Sequence, residues 1–136
     1  MNVDLLRTSF EMLKPQAQTL VDRFYAILFE RYPRLKPLFA HTAMPEQKVK
    51  LIQALAFVVA NLERPETLRA TLSGMGERHR GYGVTDEMYE AVGECLLAAM
   101  ADVAGPAWSP TLRDAWTMAY GAVAHLMKSK PAVARA

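Results

Sequence analysis

Apolar residues recur at steps of three and four along most of this chain, between prolines and glycines that stand at intervals of helical length. This spacing places apolar side chains on one face of an α-helix, whereas a half-buried strand needs alternation with a period of two. No stretch of the sequence shows a convincing strand pattern. We therefore predict an all-α protein of about seven helices.

Residues suited to the start and the end of a helix divide the chain into these segments. Prolines stand where a first helical turn tolerates them, and Gly-containing stretches stand where a helix commonly ends. Thr85 is predicted to cap one helix, and Ser109 with Pro110 opens the last one. Residues 40–44 are predicted to form a loop. The predicted helices cover about residues 3–14, 15–32, 33–39, 45–62, 65–80, 85–104 and 110–127.

The length and composition fit one ordinary globular domain. The 136 residues are expected to form a single domain over residues 1–136, with residues 131–136 as a frayed tail. Apolar residues make up 51% and charged residues 22%, a balance that argues against disorder. The net charge of +2 is evenly spread, which argues against a nucleic-acid partner.

No segment of the sequence suggests insertion into a membrane. The longest uncharged runs, residues 51–62 and 115–127, fall short of the roughly 20 residues that span a bilayer. The N-terminus also lacks the basic start and long apolar stretch of a secretory signal. We therefore expect a cytoplasmic protein without a membrane span.

Several classes of catalytic site are excluded by missing motifs. The sequence contains no Gly-rich phosphate loop after a strand, no paired-histidine zinc motif and no nucleophile elbow. Cys95 is the only cysteine, so an internal disulfide and a zinc site of several thiolates are both excluded. Its neighbours are apolar, and we expect Cys95 to act as a small buried side chain.

Three histidines are candidate metal ligands, and their positions differ. His41 lies in the polar loop, and His125 lies off the apolar face of the last helix. His79 ends an apolar face that begins at Leu68, which suits the edge of a binding site. A histidine near a helix C-terminus can also simply complement the helix dipole, so spacing alone leaves both roles open.

A metal-binding histidine needs a partner that orients its ring. One ring nitrogen bonds the metal while the other donates to a carbonyl or hydroxyl oxygen. For His79 the sequence offers two candidates for that acceptor, the carbonyl of Met75 one helical turn earlier and the hydroxyl of Tyr89 in the following helix. Both remain open at this point.

A second group of residues could form the opposite wall of a pocket. Gln47 and Leu51 are four residues apart and share a helix face, and Tyr25 lies on the inward face of another helix. Together they combine hydrogen-bond donors with an apolar neighbour. The ordinary alternative is a core tyrosine and a solvated glutamine.

Five short segments are distinctive when taken in their order and spacing. They are residues 24–29 (FYAILF), 33–39 (PRLKPLF), 77–79 (ERH), 89–97 (YEAVG followed by LL) and 115–121 (AW followed by AYG). Together they resemble the single-domain haemoglobins of bacteria and the globin domain of flavohaemoglobins. The likeness covers about residues 24–127.

The resemblance implies a globin fold, with helices packed in pairs at about 50° around one pocket for haem b, iron protoporphyrin IX. It implies that His79 is the proximal iron ligand. Tyr25, Gln47 and Leu51 would form the distal pocket where dioxygen or another diatomic gas binds. The remaining haem contacts it implies are Phe39 in packing, Lys50 and Arg78 at the propionates, Tyr82 and Val84 at the porphyrin, and Tyr89 behind the proximal histidine.

One departure from flavohaemoglobins concerns the proximal side. That family is known for a glutamate late in the last helix, which joins a tyrosine in polarising the proximal histidine. This sequence has no acidic residue after Asp114, and Pro131 falls close to the aligned position. A strongly electron-donating histidine and peroxidase-like chemistry therefore lose support.

The resemblance implies reversible binding of dioxygen as the first functional hypothesis, with Tyr25 and Gln47 donating hydrogen bonds to the bound gas. The alternative is a nitric oxide dioxygenase that works with a separate reductase, since the sequence has no room for a flavin and nicotinamide domain. A gas sensor or a haem-free helical interaction module is a third hypothesis from another class.

Overall fold

The computed structural model describes residues 2–128 and folds them into α-helices and short 3₁₀ helices, with no strand in that range. The predicted all-α class is confirmed. The α-helices are α1 (Val3–Leu13), α2 (Ala17–Arg31), α3 (Met44–Ala60), α4 (Pro65–Gly81), α5 (Met88–Ala104) and α6 (Pro110–Lys128). The 3₁₀ helices are Lys14–Gln16, Pro33–Phe39 and Gly105–Ala107. The predicted tail, with Pro131, lies outside the described residues.

The structure corrects one predicted helix start, confirms another and shows the type of a third predicted helix. The segment Pro33–Phe39, predicted as one of about seven helices, is a 3₁₀ helix that includes Pro37, which has no N–H to donate. Thr85 is not an N-cap, because residues 85–87 form a turn and α5 begins at Met88. Ser109 does cap α6, where its Oγ accepts from the Leu112 N–H at 3.1 Å.

The main hydrophobic core lies where α2 crosses α5, with α1 and α6 packed around them. Its most enclosed side chains come from all parts of the chain, because each amphipathic helix buries one face. Cys95 is fully buried among them, as expected of a small apolar residue. The fully buried members of this core include Leu6, Leu13, Leu28, Leu35 and Met100.

A second, smaller cluster forms where α4 packs on α6. Gly76 lies at this contact, and a Cβ atom there would overlap the backbone carbonyl of Met127. Arg80, one turn later, donates to the carbonyl oxygens of Met127 at 3.4 Å and Lys128 at 3.3 Å. These backbone contacts hold the C-terminal half of α4 close to the end of α6.

Within residues 2–128, none of the helices combines the length and the apolar character needed to cross a bilayer.

Candidate functional site

His79 lies near the C-terminus of α4, with its side chain partly buried. Its Nδ1 atom is 2.7 Å from the carbonyl oxygen of Met75. A carbonyl oxygen can only accept, so Nδ1 must carry the hydrogen. The neutral ring is therefore left with its lone pair on Nε2, which is the arrangement that a metal-ligating imidazole needs.

The Tyr89 hydroxyl, the other candidate acceptor for His79, forms no hydrogen bond with His79 within residues 2–128. Its side chain is only 7% exposed, yet its hydroxyl has no hydrogen-bond partner in that part of the chain. Burial raises the pKa of the Tyr89 hydroxyl, which therefore stays protonated. The Lys128 ammonium lies 5.9 Å from the centre of its ring. The Tyr89 backbone carbonyl accepts from the Tyr120 hydroxyl at 2.6 Å.

The structure brings Tyr25 and Gln47 together across α2 and α3. The Gln47 Nε2 atom donates to the Tyr25 hydroxyl oxygen at 3.3 Å. Burial raises the pKa of Tyr25, so the phenol keeps its proton. Because its oxygen already accepts from Gln47, the hydroxyl hydrogen is the group left to donate to a ligand.

Aromatic rings hold Tyr25 in place. Its ring packs against Phe24 at a centroid distance of 4.8 Å and against Phe39 at 5.7 Å, both in edge contacts. Such contacts are favoured by the charge distribution of the rings. Leu51, one turn beyond Gln47 on α3, is partly buried against the same core. Tyr25 thus contacts both Phe39 and Gln47, and Leu51 lies one helical turn from Gln47.

The remaining predicted residues surround His79 or stand on the surface. Tyr82 follows in the turn after α4, where its ring centre is 6.3 Å from that of His79, and the side chain is 68% exposed. Val84 is partly buried and packs against the smaller cluster with Met75. Lys50 on α3 and Arg78 on α4 are exposed. His41 is exposed in the loop before α3.

Several contacts near the site have no clear signal in the sequence. Lys48, next to Gln47, forms an ion pair with Asp22 at 2.9 Å, and nothing in the spacing of these residues indicates it. The Tyr120 hydroxyl donates to the Tyr89 carbonyl at the start of α5, and the Tyr120 ring lies so close to Gly93 that a Cβ atom there would overlap it. For Gly76 a signal did exist, because glycine inside a helix costs about 1 kcal/mol and is retained where another backbone approaches closely.

Known proteins similar to this chain include globins and flavohemoproteins. The family model described as Globin matches residues 22–127. The flavohemoprotein of Rhizobium meliloti is 34% identical over 126 residues, which are 91% of this chain and 31% of that protein. The flavohemoprotein of Bacillus subtilis is 30% identical over 124 residues, which are 90% of this chain and 31% of that protein. The chain thus spans less than a third of these relatives.

Two solved structures share the fold. An engineered carbene transferase, made from a Rhodothermus marinus protein provisionally assigned as a nitric oxide dioxygenase, has a TM-score of 0.82 and 34% identity. The match covers 92% of this chain and 87% of that one. A bacterial globin from Campylobacter jejuni has a TM-score of 0.81 and 29% identity, over 92% of this chain and 90% of that one.

Proposed function

The chain belongs to the globin family, and on this premise we propose that it is a haem protein that binds dioxygen reversibly through an iron ligated by His79. The observation that carries the proposal is the hydrogen bond from His79 Nδ1 to the Met75 carbonyl, since it leaves Nε2 free to bind the metal. The family resemblance found in the sequence is confirmed. The ligand, the site residues and the treatment of residues 1–136 as one globin domain remain proposals.

The donor set and the apolar walls of this chain suit haem b. His79 would supply one imidazole ligand to the iron of that group. Phe39, Leu51 and Val84 offer apolar contact, and Lys50 and Arg78 carry charges that complement propionates. Covalent attachment through thioethers uses a C-x-x-C-H motif, which a chain with one cysteine lacks. When bound, haem supplies a ferrous iron with one position open to a diatomic gas.

Tyr25 and Gln47 have different roles on the distal side. Tyr25 donates its hydroxyl hydrogen to the gas, and Gln47 donates to the Tyr25 oxygen and so directs that hydrogen away from α3. The Gln47 amide has a second hydrogen, which is left to donate to the gas directly. A hydrogen bond to a charged or partly charged acceptor contributes about 1.5–3 kcal/mol, so Tyr25 slows release of a partly anionic ligand.

The proximal side favours binding over peroxidase-like chemistry. His79 Nδ1 donates to a neutral carbonyl, which polarises the imidazole less than a carboxylate does. The buried Tyr89 hydroxyl has no acidic partner among residues 2–128.

Absorption spectra of the ferric, ferrous and oxygenated protein test the proposal. We expect His79→Ala to lose the bands of histidine-ligated haem, whereas the exposed control His41→Ala keeps them. We expect Tyr25→Phe to keep those bands but to release dioxygen about 10-fold to 100-fold faster in stopped flow. A His79→Ala protein with unchanged spectra, or a purified chain that stays colourless when haem is added, would contradict the proposal.

A second candidate is a nitric oxide dioxygenase in the cytoplasm. The relatives called flavohemoproteins and the Rhodothermus marinus neighbour favour it. Nitric oxide and dioxygen would combine to nitrate with one electron per turnover, and a separate reductase would supply that electron. The same Tyr25 and Gln47 would hold the dioxygen. Repeated turnover with nitric oxide and a reducing system would support this function, and a single turnover would refute it.

A further inference from the structure

Two neighbouring polar contacts join α2 to α3. On α2, Asp22 and Tyr25 are three residues apart and so lie on neighbouring parts of one helix face. On α3, Gln47 and Lys48 are adjacent. The Gln47 amide donates to the Tyr25 hydroxyl at 3.3 Å, and the Lys48 ammonium donates to Asp22 Oδ1 at 2.9 Å.

We infer that Asp22 and Lys48 are positioning residues, whose ion pair fixes the start of α3 against α2 and thereby holds Gln47 in reach of Tyr25. The inference rests on the proposed function, because its consequence is the rate at which the distal site releases a gas. Neither residue is among those proposed to contact the gas.

The Gln47 contact depends on where α3 lies. At 3.3 Å it is just beyond the usual range of an N–H···O bond, so a small outward shift of α3 would break it. The start of α3 has no side-chain cap, since Ala43 at the N-cap has no side-chain oxygen to bond the first helical amides, and Met44 is only partly buried against the core. The nearby ion pair is therefore well placed to restrain this end of the helix.

The ion pair is partly shielded from solvent and has an additional hydrogen bond. The Lys48 side chain is 25% exposed, the lowest value for a charged side chain in the ion pairs found within residues 2–128. Asp22 is held from its own helix as well, because Gln18 Nε2 donates to the same Oδ1 at 2.9 Å. The bond from Lys48 lowers the pKa of Asp22, which keeps the carboxylate charged.

A neighbouring ion pair provides a matched control. Arg23, adjacent to Asp22 on α2, bonds Asp102 on α5 at 2.8 Å, and both side chains are 50% exposed. It crosses to a different helix and touches neither Tyr25 nor Gln47. A general loss of surface charge would affect both pairs alike, whereas positioning of the distal site would affect only the pair between α2 and α3.

The experiment compares Asp22→Asn and Lys48→Met with the control Asp102→Asn, all in the haem-loaded protein. We expect the first two to release dioxygen about 2-fold to 5-fold faster and to shift the infrared stretching band of bound carbon monoxide. We expect the control to match wild type. Wild-type behaviour of Asp22→Asn and Lys48→Met, or an equal change in Asp102→Asn, would overturn the inference.

Two further measurements separate positioning from a merely structural role. In a Gln47→Leu background the ion pair has no amide left to place, so Asp22→Asn should add nothing further to the release rate, and a full additive effect would overturn the inference. In the haem-free chain, the magnetic resonance shift of isotope-labelled Tyr25 should move in Asp22→Asn and not in Asp102→Asn. Failure of the proposed function would instead appear in the wild-type protein, as missing haem bands.

Discussion

Gly76→Ala tests whether the close approach of α4 to α6 sets the position of His79. The new Cβ would overlap the Met127 carbonyl oxygen and lie 2.9 Å from the Met127 Cα. These are backbone atoms, so no side chain can rotate away, and α4 must move outward by more than an ångström. Overpacking of this kind costs about 1–3 kcal/mol.

Part of that cost is offset, because alanine inside a helix is more stable than glycine by about 0.5–1 kcal/mol. The net loss is about 1–2 kcal/mol, and for a chain of this size it lowers Tm by roughly 4–8 °C. Since His79 follows Gly76 by less than one helical turn, the same movement displaces the imidazole. We therefore also expect faster loss of haem to an excess of a haem-free acceptor globin.

The matched controls are glycines without such a neighbour. At Gly74, on the same helix, a Cβ would meet only the Arg78 Nη1 atom at 3.8 Å, and at Gly121 on α6 it would meet nothing within 4 Å. Gly74→Ala and Gly121→Ala should keep or raise Tm, measured by circular dichroism during heating. If Gly76→Ala unfolds at the same temperature as Gly74→Ala, the reasoning about the backbone contact is wrong.

Two other predictions concern the stability of the fold. Trp116→Phe removes the buried bond from Nε1 to Ser9 Oγ at 3.0 Å, and should cost about 1–2 kcal/mol in urea unfolding, whereas the partly exposed Trp108→Phe should cost less. Equal losses would refute the role given to the Ser9 bond. The Tyr32 hydroxyl at 2.6 Å, followed by Arg31 at 2.8 Å, lowers the pKa of Glu94 from its usual 4.5. The stability contributed by the charged Glu94 carboxylate is therefore complete above pH 4.5 and disappears as pH falls through the lowered pKa. The Tm difference between wild type and Glu94→Gln should shrink from about pH 7 to pH 3. A Tm difference that stays constant over this range would contradict the reasoning.

The all-α class and most helix bounds were predictable because they depend on local features. Apolar spacing marks the buried face of each helix, and residues such as Ser109 mark a helix start through bonds within a few positions. At Thr85 the prediction was wrong, because the Thr85 carbonyl accepts from the Met88 amide in a turn that precedes α5. The family motifs also indicated the candidate site residues without any knowledge of the geometry.

The sequence by itself thus determined the helices, their buried faces and the set of polar residues available to a site. Only the tertiary structure decided which of them meet. It left the Tyr89 hydroxyl without a partner among residues 2–128, whereas the acceptor for His79 is the Met75 carbonyl one turn earlier on the same helix, which is a local contact. It also turned Gln47 toward Tyr25 and joined Lys48 to Asp22. Contacts between helices depend on how residues far apart in the chain pack together, which the local spacing of side chains does not specify.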